Sequence, residues 1–180
     1  PLMKIGKQVI GINGSEKKRK KIFKKYDLED NVADKYPFQL SGGMARRVLI
    51  ATAVMNDAKL IIADEPTPGL NIELAMDTLK HFRDIADNGC GILLITHDVD
   101  LALNVADRIA VFYSGTIVEI AKVDDFIKGK DALRHPYSKA FIDALPQNKF
   151  KSIPGFQPYA GNLPTGCLFG DRCHMRTEEC

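Results

Sequence analysis

Residues 36–67 read YPFQLSGGMARRVLIATAVMNDAKLIIADEPT. From Gly42 to about Asn56 the apolar positions recur with helical spacing, so that Val48, Leu49, Ala51, Thr52 and Met55 can share one side. LSGGM, Leu40–Met44, sets a serine and two glycines just ahead of that helix. Lys59–Ala63 is an apolar run that suits a strand buried on both faces. It leads into two adjacent carboxylates, Asp64 and Glu65. A second such strand, Gly91–Thr96, leads into His97.

Working outward, the run EKKRKKIFKK at 16–25 predicts a short amphipathic helix. Ile22, Phe23 and Tyr26 lie on its inner side and its lysines form a solvated face, in preference to a nucleic-acid or lipid patch. Ile72–Asn88 predicts an amphipathic helix with Leu74, Ala75, Leu79, Phe82, Ile85 and Ala86 in one stripe, ended by Gly89 and Gly91. Asp98–Ala106 reads as a short helix. Arg108–Tyr113 and Thr116–Ala121 read as a strand pair across a tight Ser114-Gly115 turn. His135–Leu145 is a further helix, and after Pro146 prolines and glycines mark an irregular tail. Strands alternating with helices predict an α/β fold with a mainly parallel sheet flanked by helices. No internal repeat is visible.

The chain has 180 residues, 45% of them hydrophobic, enough for one sizeable core. Lys+Arg 25 against Asp+Glu 23 gives a net charge of +2, which carries no nucleic-acid footprint. No apolar run approaches the roughly 20 residues that span a bilayer, and no signal peptide is visible. The first residue is Pro1 rather than methionine, so the chain is read as a piece of something longer. Of the four cysteines, Cys90 reads as a small core residue, while Cys167, Cys173 and Cys180 cluster near the end. A glycine-rich loop of the form GxxxxGK[ST] occurs nowhere in the sequence.

Asp64 and Glu65 follow a buried strand, where α/β folds place ligand sites. An aspartate there can hold Mg²⁺, a hard cation that prefers oxygen ligands. Strand neighbours face opposite ways, so Glu65 can polarise an attacking water while Asp64 attends to the metal. A pair of helix-capping carboxylates before Pro66 is the plainer alternative. Ser41, Gly42 and Gly43 open a helix, whose free N–H groups and positive dipole end suit a phosphate. Ser41 alone would be an ordinary cap, but two glycines favour close ligand approach. His97 can donate a hydrogen bond to a terminal phosphate or be a satisfied strand-end histidine. His81 is placed on a polar helix face, and His135 and His174 in loop-like sequence.

Taken together, LSGGM, LIIADEPT and ITHD resemble the signature, Walker B strand and switch histidine of the nucleotide-binding subunit of ABC transporters. The opening PLMKIGKQVI resembles the segment just after that family's Q-loop. The resemblance implies an ABC-ATPase, P-loop NTPase-like core. Residues 1–146 would form a partial cassette, with 1–56 holding part of the helical subdomain and the signature, and 57–146 running from Walker B onward. HPYSKAFIDALP, IPGFQPY and LPTGCLFGDRC resemble the C-terminal extension, here 147–180, of ATPases serving oligopeptide, dipeptide and nickel importers. The family's chemistry implies ATP and Mg²⁺ as cofactors. Ser41, Gly42 and Gly43 would contact ATP held by a second ATPase subunit, identical or different. Asp64 would serve Mg²⁺, Glu65 would activate water, and His97 would hold Glu65 and the γ-phosphate together. Further implied partners are two transmembrane permease subunits and an extracytoplasmic solute-binding protein, with the ATPase peripheral on the cytoplasmic face of the membrane. With no Walker A loop in it, this chain alone is expected to be a poor ATPase.

Two departures stand out. The family's usual aspartate in the D-loop is Asn71 here, within Pro68-Gly69-Leu70-Asn71, which loses a charge while keeping hydrogen bonding. Arg46 stands where the signature helix commonly carries glutamine. Cys167, Cys173 and Cys180 resemble a tail that binds an iron–sulfur cluster in some members, though such a cluster normally needs four thiolates; His174 is a conceivable substitute. Free thiols or adventitious zinc are the alternatives. The contrasting functional class is a non-catalytic or regulatory remnant that only lends its signature to a partner. Soluble ABC proteins of DNA repair or translation fit poorly with this tail and charge balance.

Overall fold

A computed structural model describes residues 2–11, 14–55 and 57–180. The expected helix end at Asn56, and Pro1 of the opening segment, lie outside the described residues. The chain divides into two compact units, one up to Val105 and one from Ala106 to Cys180.

The first unit begins with helices α1 (Ile5–Ile10) and α2 (Glu16–Lys25). Ser15 caps α2 by accepting from the Lys18 amide, and Ile22 and Phe23 bury while most of the lysines face solvent. Tyr26, just beyond the helix, is 1% exposed. Arg19 does not follow the exposed pattern. It is buried, paired with Glu16 and Asp30, and lies 4.8 Å from the centre of the Phe23 ring. Helix α3 (Gly42–Met55) buries Val48, Ile50, Ala51 and Met55. Leu49, expected on that side, is exposed.

Strand β1 (Leu60–Asp64) pairs in parallel with β2 (Gly91–Ile95), Asp64 opposite Ile95. Helix α4 (Ile72–Asp87) joins them and buries Ala75, Leu79, Phe82 and Ile85, much as its period predicts. Each such large apolar side chain contributes about 1.5–3 kcal/mol. Helix α5 (Val99–Val105) follows, with Asp98 accepting from the Leu101 amide. The expectation of strands buried on both faces is realised on one. Ile61, Ala63, Ile92 and Leu94 join the core, whereas Leu60, Ile62, Leu93 and Ile95 remain 46–62% exposed. In this two-stranded sheet the helices cover a single side.

The second unit opens with the antiparallel hairpin β3 (Arg108–Tyr113) and β4 (Thr116–Lys122). Ser114 and Gly115 both have positive φ, 48° and 88°, the pattern of a type I′ turn that matches strand twist. Helices α6 (Val123–Ile127) and α7 (Pro136–Ala144) pack beside it. His135, expected in loop-like sequence, caps α7 through Nδ1, which accepts from the Tyr137 amide at 3.1 Å. Burial holds its pKa below the usual histidine value, so the neutral, accepting form persists.

Candidate functional site

The parallel register sets the site. With Asp64 opposite Ile95, the residues just past the two strand ends, Glu65 and His97, emerge side by side. The Glu65 amide donates to the Ile95 carbonyl at 2.9 Å, extending the ladder by one bond. There the backbone turns: Glu65 has φ +44°, a left-handed conformation uncommon for a residue with a long side chain. Such strain concentrates at functional sites. The turn carries the Glu65 side chain toward His97. The same oxygen, Oε1, accepts from His97 Nδ1 at 2.8 Å and from the His97 amide at 3.2 Å. The other oxygen, Oε2, is shielded from solvent and has no hydrogen-bond partner among the described residues. The hydrogen bond and charge of Glu65 raise the His97 pKa, although the ring is 79% exposed.

Asp64 stays exposed at the strand end. One such carboxylate fits Mg²⁺, which takes one or two carboxylates and completes its shell with water and substrate phosphates. Among the described residues no group of three or more His, Cys, Asp or Glu converges as a protein-only metal site.

Thr67 to Leu70 form a β-turn closed by the Leu70 amide on the Thr67 carbonyl at 3.1 Å. Pro68 at its second position and Gly69 at its third, φ +76°, suit a type II turn. Asn71 then caps α4, its Oδ1 accepting from the Leu74 amide at 2.9 Å. The departure at 68–71 is therefore a well-formed turn and cap. This turn, His97 and Asp98 line an open cleft of about 330 Å³, with Ile72, Ala75 and Leu101 as its apolar wall.

Ser41 caps α3 by accepting from the Met44 amide at 3.3 Å. The two glycines differ. A Cβ on Gly42 would meet open space, while one on Gly43 would stand 3.3 Å from the Leu74 Cδ2 of α4. Close packing of α3 on α4 thus accounts for Gly43, and only Gly42 is free of a packing reason. Neither glycine nor Ser41 lines the cleft.

Other expectations change in the structure. His81 is not on an open polar face: it is half-buried, edge-on to Tyr26 with ring centres 5.0 Å apart and Nε2 3.5 Å from Asp77. Cys167, Cys173 and Cys180 do not gather into a ligand set. The Cys173 sulfur accepts from the Met175 amide at 3.4 Å, and the Cys180 sulfur lies 3.6 Å from the Thr177 hydroxyl. No iron–sulfur ligand set is evident among the described residues.

Sequence reading missed Arg172. Its guanidinium donates to the carbonyls of Pro154 at 2.8 Å and Ile153 at 2.9 Å and to the Tyr113 hydroxyl at 3.2 Å. It also lies 5.8 Å from the Phe169 ring centre. Tyr113, Tyr137 and Phe169 pack with centres 4.5–5.4 Å apart. IPG and FGDRC, far apart in the tail, are thereby fastened to the hairpin. The available signal was an arginine that follows a proline-rich stretch, which names no partner.

Comparison with known proteins agrees with this arrangement. The family described as ABC transporter matches residues 3–68, and the oligopeptide/dipeptide transporter C-terminal region matches residues 118–180. The chain is 37% identical over 161 residues to the oligopeptide transport ATP-binding protein AppD of Bacillus subtilis, covering 86% of this chain and 48% of that protein. It is 39% identical over 153 residues to the dipeptide transport ATP-binding protein DppD of Haemophilus influenzae, covering 82% and 46%. The chain thus spans about half the length of these relatives. Among solved structures, a dimeric bacterial ABC transporter cassette matches with TM-score 0.58 and 27% identity, covering 68% of this chain and 58% of that one. A nucleotide-free ATP-binding cassette from an ABC transporter matches with TM-score 0.62 and 26% identity, covering 75% and 60%. With strand-end Glu65 and His97 in contact, an SGG-opened helix and both family regions matched, the chain belongs to the ABC transporter ATP-binding family of the oligopeptide/dipeptide type.

Proposed function

We propose that this chain is the signature-to-tail portion of an ATP-hydrolysing subunit that powers a peptide importer. The observation that carries the reading is the Glu65–His97 contact at the ends of paired parallel strands, with Glu65 held at positive φ and its Oε2 unpartnered. Glu65 would take a proton from the attacking water, and His97 would keep that carboxylate oriented and donate toward the terminal phosphate. Asp64 would supply one oxygen to Mg²⁺, whose charge helps neutralise the phosphates. Ser41 and Gly42 would present the α3 N-terminus to ATP bound by a second ATPase subunit, with Gly43 packing that helix on α4. Gly69, Leu70 and Asn71 would form the link between the two sites of the pair. Peptide is favoured over nickel as cargo because the similar proteins are named for oligopeptide and dipeptide transport. Two membrane permease subunits and an extracytoplasmic binding protein complete the proposed assembly, with this subunit at the cytoplasmic face. Residues 1–146 are assigned to the cassette and 147–180 to its extension.

The test is Glu65→Gln in the full-length protein, which preserves shape and removes the base. ATP turnover should fall about 10²–10⁴-fold with nucleotide binding retained. Turnover at the parent rate would remove Glu65 from the chemistry.

A further inference from the structure

The His97 side chain is 79% exposed, so packing does little to orient its ring. Its place depends on the main chain, and the residues on either side clamp that chain. The Thr96 hydroxyl accepts from the Asp98 amide at 3.1 Å, closing a short turn across His97. Asp98 Oδ1 accepts from the Leu101 amide at 3.0 Å, and the Asp98 carbonyl from the Ala102 amide at 3.1 Å, so α5 starts at once. Leu101, 7% exposed, seats that helix in the core. We propose that Thr96 is a positioning residue for ATP hydrolysis: its hydroxyl fixes the backbone from which His97 reaches Glu65. The role rests on the reading of Glu65 and His97 as the hydrolytic pair.

Two donors of His97, its amide at 3.2 Å and Nδ1 at 2.8 Å, converge on one oxygen of Glu65. That convergence holds only over a narrow range of backbone and side-chain angles at residue 97. Thr96 supplies what narrows the range. Its branched side chain is stiff about χ1 and suits a strand end, and its hydroxyl gives the Asp98 amide a fixed acceptor. Thr96 is half-buried and stands outside the residues that line the cleft, whereas His97 and Asp98 line it. It therefore acts through His97 rather than on substrate. Valine keeps the shape of threonine and removes the acceptor, which frees the His97 backbone to shift. Small displacements of a catalytic group are costly in rate.

The experiment has two readouts. In this chain alone, hydrogen exchange at the His97 amide should be faster in Thr96→Val than in the parent, and Thr96→Ser should restore the parent rate. In the full-length protein, Thr96→Val should lower kcat for ATP by about 10-fold with KM unchanged, on the scale of one lost orienting hydrogen bond. Thr96→Ser should recover it. Thr96→Val should add no further loss to His97→Ala, because the two act as one unit. Thr96→Ala serves as the second hydroxyl-free variant, and melting temperatures establish that each variant folds. Unchanged amide exchange, full turnover in both hydroxyl-free variants while His97→Ala is impaired, or equal losses from Thr96→Val with and without His97 would each overturn the role of Thr96. Parent turnover in His97→Ala would instead overturn the hydrolytic pair, and the role of Thr96 with it.

Discussion

His97 Nδ1 lies 2.8 Å from Glu65 Oε1, and the His97 amide donates to that same oxygen at 3.2 Å. One carboxylate oxygen is thereby fixed by a single residue from the neighbouring strand end, while the other has no partner among the described residues. His97 thus orients the carboxylate, as a general base requires, while Oε2 is shielded from solvent in this structure.

That pairing has a pH signature. Glu65 raises the His97 pKa, so the imidazolium is favoured in the folded state. The stabilisation is fully present below the unfolded histidine value of about 6.5 and is lost as pH rises through the raised folded value. Melting temperatures of the parent and His97→Gln should differ at acid pH and converge at alkaline pH. In NMR titration the His97 ring should titrate above its ordinary value, and Glu65→Gln should bring it back down. An ordinary titration in the parent would show that the contact does not persist in solution.

The two signature glycines should separate stability from function. Gly42→Ala meets no atom and should stabilise α3 by about 0.4–1 kcal/mol, yet lower ATP turnover of the assembled pair by crowding the phosphate. Gly43→Ala presses on Leu74 and should lower stability as well. Denaturant midpoints beside turnover rates make the comparison. Unchanged turnover in Gly42→Ala would mean that no ligand approaches there.

Arg172→Lys should destabilise the second unit by about 1–3 kcal/mol, because an ammonium cannot reproduce a guanidinium fork serving two carbonyls and a hydroxyl. Limited proteolysis should then cut near Ile153–Gly155 sooner than in the parent. Equal cleavage rates would show that the tail is held by its aromatic cluster alone.

Much of this was legible from periodicity and local chemistry. The α4 stripe, the Ser114-Gly115 turn and the strands ending near Asp64 and Ile95 follow from side-chain spacing and backbone preference. The Glu65–His97 contact was accessible only through family resemblance, because strand register and the positive φ at Glu65 are tertiary facts. Two features lay beyond sequence. An apolar run such as LIIA states that a strand can be buried on two faces, not how many neighbours it has, and here Leu60 and Ile62 stay open. Arg172 binds main-chain carbonyls, which every residue offers, so no residue type marks its partners.

The most direct measurement is ATP hydrolysis by this chain alone and after mixing with an intact partner cassette whose own signature serine has been replaced, so that partner-only dimers are silent. With no GxxxxGK[ST] in its sequence, the chain alone should show no turnover, and mixing should restore it through Ser41 and Gly42. Replacing Ser41 with arginine should abolish the restored activity. Turnover by the chain alone, or none after mixing, would contradict a signature that acts across the pair.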